Sequence, residues 1–272
     1  MKVCLLLSNG FDSQNVQQII YDHQLPIEIS VIFTENFDNK NLKLLSTLHP
    51  NVPFLFFNQK GQLTLAKVAN KEILKISCDW QSYQSRIVKA GKNSELLLKI
   101  AKLNREMSVI DATAGFGIDG LILASTGATA TFIEKNPILF LLLKTEQHKM
   151  SQHKNWQKLM SRIDIKFGDS GEILKHLNKV DLIYLDPMFP NDSYKGAVNK
   201  NMQVLHSFVN PPNINDEIEL FNTAIKNCDK LIIKRPINAP NFANINPIQS
   251  IANDVIRFDE YRLLGVKKCQ LM

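Results

Sequence analysis

Apolar positions follow two rhythms along this chain. In the first part, short apolar runs at Val3–Leu7, Ile27–Phe33 and Val52–Phe57 are separated by turn-forming stretches such as SNGFDS and NQKG. That spacing predicts a small N-terminal α/β region over about residues 1–75. From Ser94 onward the pattern changes: Leu97, Leu98, Ile100 and Ala101 recur at helical period and lead into MSVIDATAG. Strand-like and helix-like segments then alternate. Strands are expected at Val109–Ala112, Thr129–Ile133, Ile163–Phe167, Leu182–Leu185 and Leu231–Ile233, and helices at Ile118–Ser125, Pro137–Ser151, Gly171–Leu177 and Asp216–Asn227. Such alternation predicts a doubly wound, mostly parallel sheet over residues 76–272, whose ligands bind at the carboxyl ends of the strands. The Asn-rich NFANINPIQSIAND reads as a loop before a final hairpin.

Composition narrows this picture. With 44% apolar and 21% charged residues the chain is globular. Its longest apolar run, Ile138 to Leu143, is far short of the roughly 20 residues that cross a bilayer. MKVCLLLSNG lacks a small-residue cleavage site after its brief apolar run and reads as a first strand, so a cytoplasmic location is expected. Cys4, Cys78, Cys228 and Cys269 form no C-x-x-C pair and no His cluster has metal-ligand spacing, so neither a disulfide framework nor a metal site is expected. The net charge of +6 favours a polyanionic partner.

The chemistry gathers at the expected strand ends. DATAGFGIDG places Gly115, Gly117 and Gly120 in a G-x-G-x-x-G turn, and Glu134 ends the next strand at the distance of an acid that binds ribose hydroxyls. These features alone fit a nicotinamide dinucleotide or any other adenosine cofactor. Asp111, at the start of the turn, would repel a pyrophosphate but could anchor an ammonium, which favours S-adenosyl-L-methionine. In FGDS, Asp169 and Ser170 fall where an adenine would lie, although the same pair also reads as a helix N-cap.

YLDPMFP, residues 184–190, ends the fourth strand of this series. An exocyclic amine conjugated to a base ring is a poor nucleophile because its lone pair is delocalised. Asp186, with the backbone carbonyl of Pro187 or Met188, could accept hydrogen bonds from such an amine and localise that pair. Phe189 could stack on the base, and Pro187 would fix the backbone so that the acceptors converge. These residues therefore point to methylation of a nucleobase amine.

DATAGFGIDGLILASTGATATFIEKNP, YLDPMFP with the basic SYKGAVNKNM after it, IIKRP and RFDEY occur in an order and spacing that resemble the ribosomal RNA small subunit methyltransferase J family, from about Gln84 to the C-terminus. The resemblance implies a class I, seven-stranded Rossmann-like methyltransferase sheet. It also implies S-adenosylmethionine-dependent methylation of a guanine N2 amine in small-subunit (16S) ribosomal RNA, with that RNA or the assembled subunit as partner and no metal or membrane. By the same resemblance, Ile118, Asp119, Glu134, Lys135, Asp169, Ser170 and Asp186 contact the cofactor. Ile118 stands where the family usually has Arg, so its contact would come from the backbone. Lys195 and Lys200, Lys234 and Arg235, and Arg86, Lys89 and Lys92 are candidate phosphate contacts. Adenine-N6 methylation, a nicotinamide-dependent oxidoreductase and a non-catalytic RNA-binding module are the alternatives.

Overall fold

The computed structural model describes residues 1–8, 14–69, 72–188 and 213–263. The SNGFDS turn lies largely outside them, as do Phe189, Pro190, Lys195, Lys200 and Cys269.

Two sheets share one core. The first holds β1 (Lys2–Leu7), β2 (Glu28–Phe33), β3 (Phe54–Phe57), β4 (Leu63–Ala69) and β5 (Glu72–Ser77) in the order β2-β1-β3-β4-β5. β1 runs parallel to β2 and β3, whereas β3, β4 and β5 form an antiparallel meander. Helices α1 (Gln14–Asp22) and α2 (Asn39–Leu48) connect the parallel strands. Pairing of Thr64 with Ser77 carries this sheet past the boundary expected at residue 75. A 3-10 turn at Trp80–Tyr83, α3 (Gln84–Lys89) and α4 (Leu96–Ala101) lead into the second sheet.

The second sheet contains β6 (Ser108–Asp111), β7 (Thr129–Glu134), β8 (Ile163–Phe167), β9 (Val180–Leu185), β10 (Cys228–Pro236), β11 (Gln249–Ala252) and β12 (Ile256–Tyr261), in the order β11-β12-β10-β9-β6-β7-β8. Only β12 opposes the direction of its neighbours, pairing antiparallel with both β10 and β11. β11 falls inside the Asn-rich stretch expected as loop: it and β12 form the terminal hairpin, and only a 3-10 turn at Phe242–Asn244 precedes them. Between the strands run α5 (Ile118–Ala124), α6 (Pro137–Ser151), α7 (Gln157–Met160), α8 (Ser170–Lys175) and α9 (Ile214–Lys226).

The sequence rhythm has a direct cause here. Both faces of a parallel sheet are covered, so its strands read as unbroken apolar runs. On β9, Leu182 and Tyr184 pack into one core layer while Ile183 and Leu185 pack into the other. The first half of α6, residues 138–143, is apolar on every side because the helix lies between the sheets, against β7 and β8 on one flank and β4 and α1 on the other. Pro137 opens it at a position that needs no N–H, and the Asn136 side chain accepts from the amides of Ile138 and Leu139. Phe140, with no exposed surface, sits in this seam and contributes about 1.5–3 kcal/mol by burial. A single apolar cluster thus runs from Leu65 and Trp80 through Phe140 to Leu121.

The chain leaves β6 toward β7 and β8, then returns to place β9 and β10 on the other flank. The crevice between the carboxyl ends of β6 and β9 is the topological switch point. Asp111 pairs there with Tyr184, one residue before Leu185 and two before Asp186.

Candidate active site

The glycine turn after β6 is shaped by its neighbours. Gly117, at φ +71°, stands with its missing Cβ only about 3 Å from Leu143 and Phe132. A Cβ on Gly120 would meet Phe132 at 2.5 Å and the Asp111 carboxylate at 2.9 Å, so only glycine lets α5 approach β7 this closely. The Glu134 carboxylate accepts from the Gly115 amide at 2.8 Å and from the Asn136 amide at 2.7 Å. Burial pushes its pKa up, while those two amides pull it down. Trp80, fully buried, donates from its indole to the Phe116 carbonyl at 2.8 Å and so clamps the turn from outside. Its backbone amide donates to Glu146 on α6. Nothing in the local sequence around Trp80 signals this contact, because it closes a separation of 36 residues.

At the switch point three acids converge. Asp111 is 2% exposed. Burial first, and then the carboxylates of Asp119, Asp186 and Glu134, push its pKa well above the usual range. Asp119 Oδ2 accepts from the Tyr184 hydroxyl at 2.6 Å and from Lys234 Nζ at 2.9 Å. Burial alone would raise the Asp119 carboxyl, but Lys234 and the Tyr184 hydroxyl hold it below its usual value. Asp186 Oδ2 accepts from Lys234 Nζ at 2.8 Å, and its amide donates to Thr113 Oγ1 at 2.6 Å. Burial raises its pKa, Lys234 opposes that, and the like charge of Asp119 adds to it. The Asp186 side chain remains 31% exposed, which leaves it open to the crevice. Pro187, buried directly behind it, fixes the backbone at the end of β9.

The remaining cofactor candidates spread along the same edge. Ser170 is buried and donates its hydroxyl to the Ala112 carbonyl, tying α8 to the β6 turn. Asp169 caps α8, its Oδ1 accepting from the Gly171 amide at 2.8 Å, and stays exposed. Ile118 is half-buried against the core, and Lys135 is exposed beside Glu134.

Two basic positions differ from expectation. Lys234 is bonded to two carboxylates within 2.9 Å, and Arg235 is 4% exposed, with one guanidinium nitrogen on Glu217 and another on the Pro240 carbonyl. Neither is a free phosphate contact, because β10 alternation turns one into the crevice and the other into the opposite core layer. Arg86 is held by both oxygens of Glu95, whereas Lys89 is exposed at the end of α3 and Lys92 in the loop after it.

An acid-rich crevice suits a cationic ligand. The carboxylates of Asp111, Asp119, Asp186 and Glu134 surround the turn, and among the described residues the ammonium bonded into them is that of Lys234. A sulfonium and an ammonium fit that field, and a pyrophosphate does not. Glu134 retains acceptor capacity for ribose hydroxyls beyond its two amide bonds. S-adenosyl-L-methionine therefore fits this donor set. Among the described residues no group of His, Cys, Asp and Glu could hold a metal ion. No helix among them is long and apolar enough to cross a membrane.

Known proteins agree with this chemistry. A family model for SAM-dependent methyltransferases matches residues 39–263, and so reaches into the first sheet. The ribosomal RNA small subunit methyltransferase J of Psychrobacter cryohalolentis is 41% identical over 91% of this chain and 90% of its own. The protein of that name from Acinetobacter baumannii strain ACICU is 33% identical over 92% of this chain and 89% of its own. A solved SAM-dependent methyltransferase from Neisseria gonorrhoeae, 23% identical, superposes with a TM-score of 0.69 over 99% of this chain and 100% of that one, and confirms the fold. With its acid-rich switch point built on that fold, the chain belongs to the S-adenosylmethionine-dependent methyltransferases of the ribosomal RNA small subunit methyltransferase J family.

Proposed function

We propose that this protein methylates the exocyclic N2 amine of a guanosine in small-subunit ribosomal RNA, free or within the assembled subunit, in the cytoplasm. The observation that carries the reading is Asp186. It is a carboxylate held rigidly at the switch point by Thr113 and Lys234 yet 31% exposed toward the crevice. Its Oδ2 faces Lys234, which leaves Oδ1 as the acceptor for a substrate N–H. An N–H bonded there has its lone pair localised on nitrogen and aimed away from the carboxylate.

Bound S-adenosyl-L-methionine supplies a methyl group activated by a sulfonium. The acceptor amine would take on the positive charge that the sulfonium gives up. Asp186 stabilises it there and takes the released proton. Pro187 holds the peptide whose neighbouring carbonyls would accept the second N–H, and Phe189 supplies a ring for the flipped base. Asp111 would anchor the amino end of the cofactor and Glu134 its ribose, with Asp169 and Ser170 beside the adenine and Gly115, Gly117, Ile118, Asp119 and Lys135 around them. Lys89 and Lys92, exposed at and just beyond the end of α3, are the proposed phosphate contacts, which would make binding salt-dependent.

The test uses radiolabelled S-adenosyl-L-methionine and small subunits lacking the modification, followed by digestion and identification of the labelled nucleoside. Label in N2-methylguanosine is expected. Label in N6-methyladenosine would keep the site and overturn the base. Asp186→Ala is expected to lose transfer by about 10²–10⁴-fold while staying folded, and near-wild-type turnover would sink its role.

A further inference from the structure

We infer that Lys234 is a positioning residue: it holds Asp186 in its ionised form and in one orientation, using Asp119 as its second anchor. The inference rests on the methyl-transfer reading for its consequence but on geometry for its content. β10 register pairs Ile232 with Tyr184 and Ile233 with Leu185, so the next residue, Lys234, comes level with Asp186. Ile232 and Tyr184 share one core layer, and strand alternation puts Lys234 on that same face, under α5. Its ammonium lies 2.8 Å from Asp186 Oδ2 and 2.9 Å from Asp119 Oδ2, and Asp119 is itself fixed by the Tyr184 hydroxyl at 2.6 Å. A strand, a helix and a second strand thus converge on one nitrogen.

Without that nitrogen the crevice would not keep Asp186 charged. Facing it are Asp119 from α5, Asp111 from β6 and the Tyr184 hydroxyl from β9, with Arg86 of α3 reaching only as far as Asp119. Lys234 is the one cation among these described groups that touches Asp186. A protonated Asp186 accepts from the amine only weakly, through its carbonyl oxygen, and cannot take the proton that transfer releases. An RNA phosphate at Lys234 would have to displace two carboxylates or sit among them, which Coulomb repulsion opposes.

The test compares full-length wild type with Lys234→Met and Lys234→Arg by single-turnover methyl transfer across acidic to alkaline pH. It also follows Asp186 by carboxyl ¹³C NMR titration without substrate. Lys234→Met is expected to lose about hundredfold in rate at neutral pH, with partial recovery at alkaline pH. Its acidic limb and its Asp186 titration should both move up by at least about one pH unit, because an opposite charge at this distance shifts a carboxylate by that much. Lys234→Arg should restore most of the rate, and the KM for RNA should hold. An unmoved Asp186 titration overturns the inference, and so does a raised RNA KM with a shallower salt dependence and an unmoved limb, the signature of a phosphate contact. Should Lys234→Met not fold, Asp119→Asn/Lys234→Met removes the cation with the acid it offsets; its Asp186 titration must then lie above that of Asp119→Asn alone. If wild type transfers no methyl to small-subunit RNA, the proposed function falls, while the NMR titration still decides the role of Lys234.

Discussion

Lys234 and Arg235 are consecutive on β10, yet they enter two buried charge clusters of opposite character. On the crevice face Asp119 and Asp186 bind Lys234, and Asp111 lies in their field. On the other face Arg235 lies opposite Arg257 of β12, and each guanidinium meets its own acid, Glu217 at 3.2 Å and Asp259 at 2.9 Å. Arg257 also donates to the carbonyls of Pro236, Ile237 and Ala239, and the Ala243 amide donates to Glu217. That second cluster is a clasp on the chain between β10 and β11, with two cations for two acids. The crevice carries an excess of acid that the described protein side chains do not neutralise. A balanced buried cluster completes the fold, whereas an unbalanced one stores field for a ligand.

The largest expected effect comes from unbalancing the clasp. Arg257→Met leaves Asp259, which has no exposed surface, without its cation, and breaking a buried pair in this way costs about 3–5 kcal/mol. Denaturant unfolding should register that loss. Methyl transfer measured where both proteins are folded should be unchanged, because the clasp faces away from the crevice. A stable but slow Arg257→Met would break the comparison.

The same division separates what the sequence makes legible from what only the fold brings together. Strands β9 and β10 are legible because burial on both faces leaves apolar runs, and the edge strand β8 because its Ile163, Ile165 and Phe167 alternate with charged residues. The glycine turn, Glu134 at the end of β7 and Asp186 at the end of β9 stand at strand termini, where a polar residue after an apolar run is conspicuous. KRP gives no such hint. Lys234 and Arg235 look alike as a basic pair, and only alternation with the register against β9 and β12 sends them to opposite layers. Asp169 reads equally as cap or adenine contact, and the structure shows the cap bond while leaving the carboxylate exposed. Trp80 depends on a contact 36 residues away in sequence, which no local pattern encodes.

A smaller effect, of opposite sign in stability and binding, is expected at Asp111. Burial and then Asp119 raise its pKa well above the usual range. A carboxyl raised on folding adds stability below its unfolded pKa and loses that contribution as pH rises through the folded value. Asp111→Asn cannot ionise, so it should melt above wild type at alkaline pH, and the gap should close as pH falls toward the ordinary carboxylate range. Its affinity for S-adenosyl-L-methionine should drop about ten- to hundredfold, the equivalent of the roughly 1.5–3 kcal/mol of a charge-assisted hydrogen bond. Thermal melts at two pH values and calorimetric binding check both halves. A variant that binds normally would mean the excess acid in the crevice does not serve the cofactor's ammonium.

The smallest effect probes whether the clasp is as self-contained as its charge balance implies. Ser250 donates its hydroxyl to Asp259 Oδ1 at 2.6 Å, but Asp259 keeps both of its bonds from Arg257 when that donor is lost. Ser250→Ala removes a neutral partner and leaves the ion pair intact, so it should cost only about 0.5–1.5 kcal/mol in denaturant unfolding. Combined with Arg257→Met the two losses should not add, because both act through one carboxylate; the double-mutant cycle reads that coupling directly. If Ser250→Ala alone slowed methyl transfer in the folded enzyme, motion of the clasped chain between β10 and β11 would belong to the catalytic cycle. Lys234 would then feel the clasp through β10 itself, and the two faces of the strand would form one functional unit.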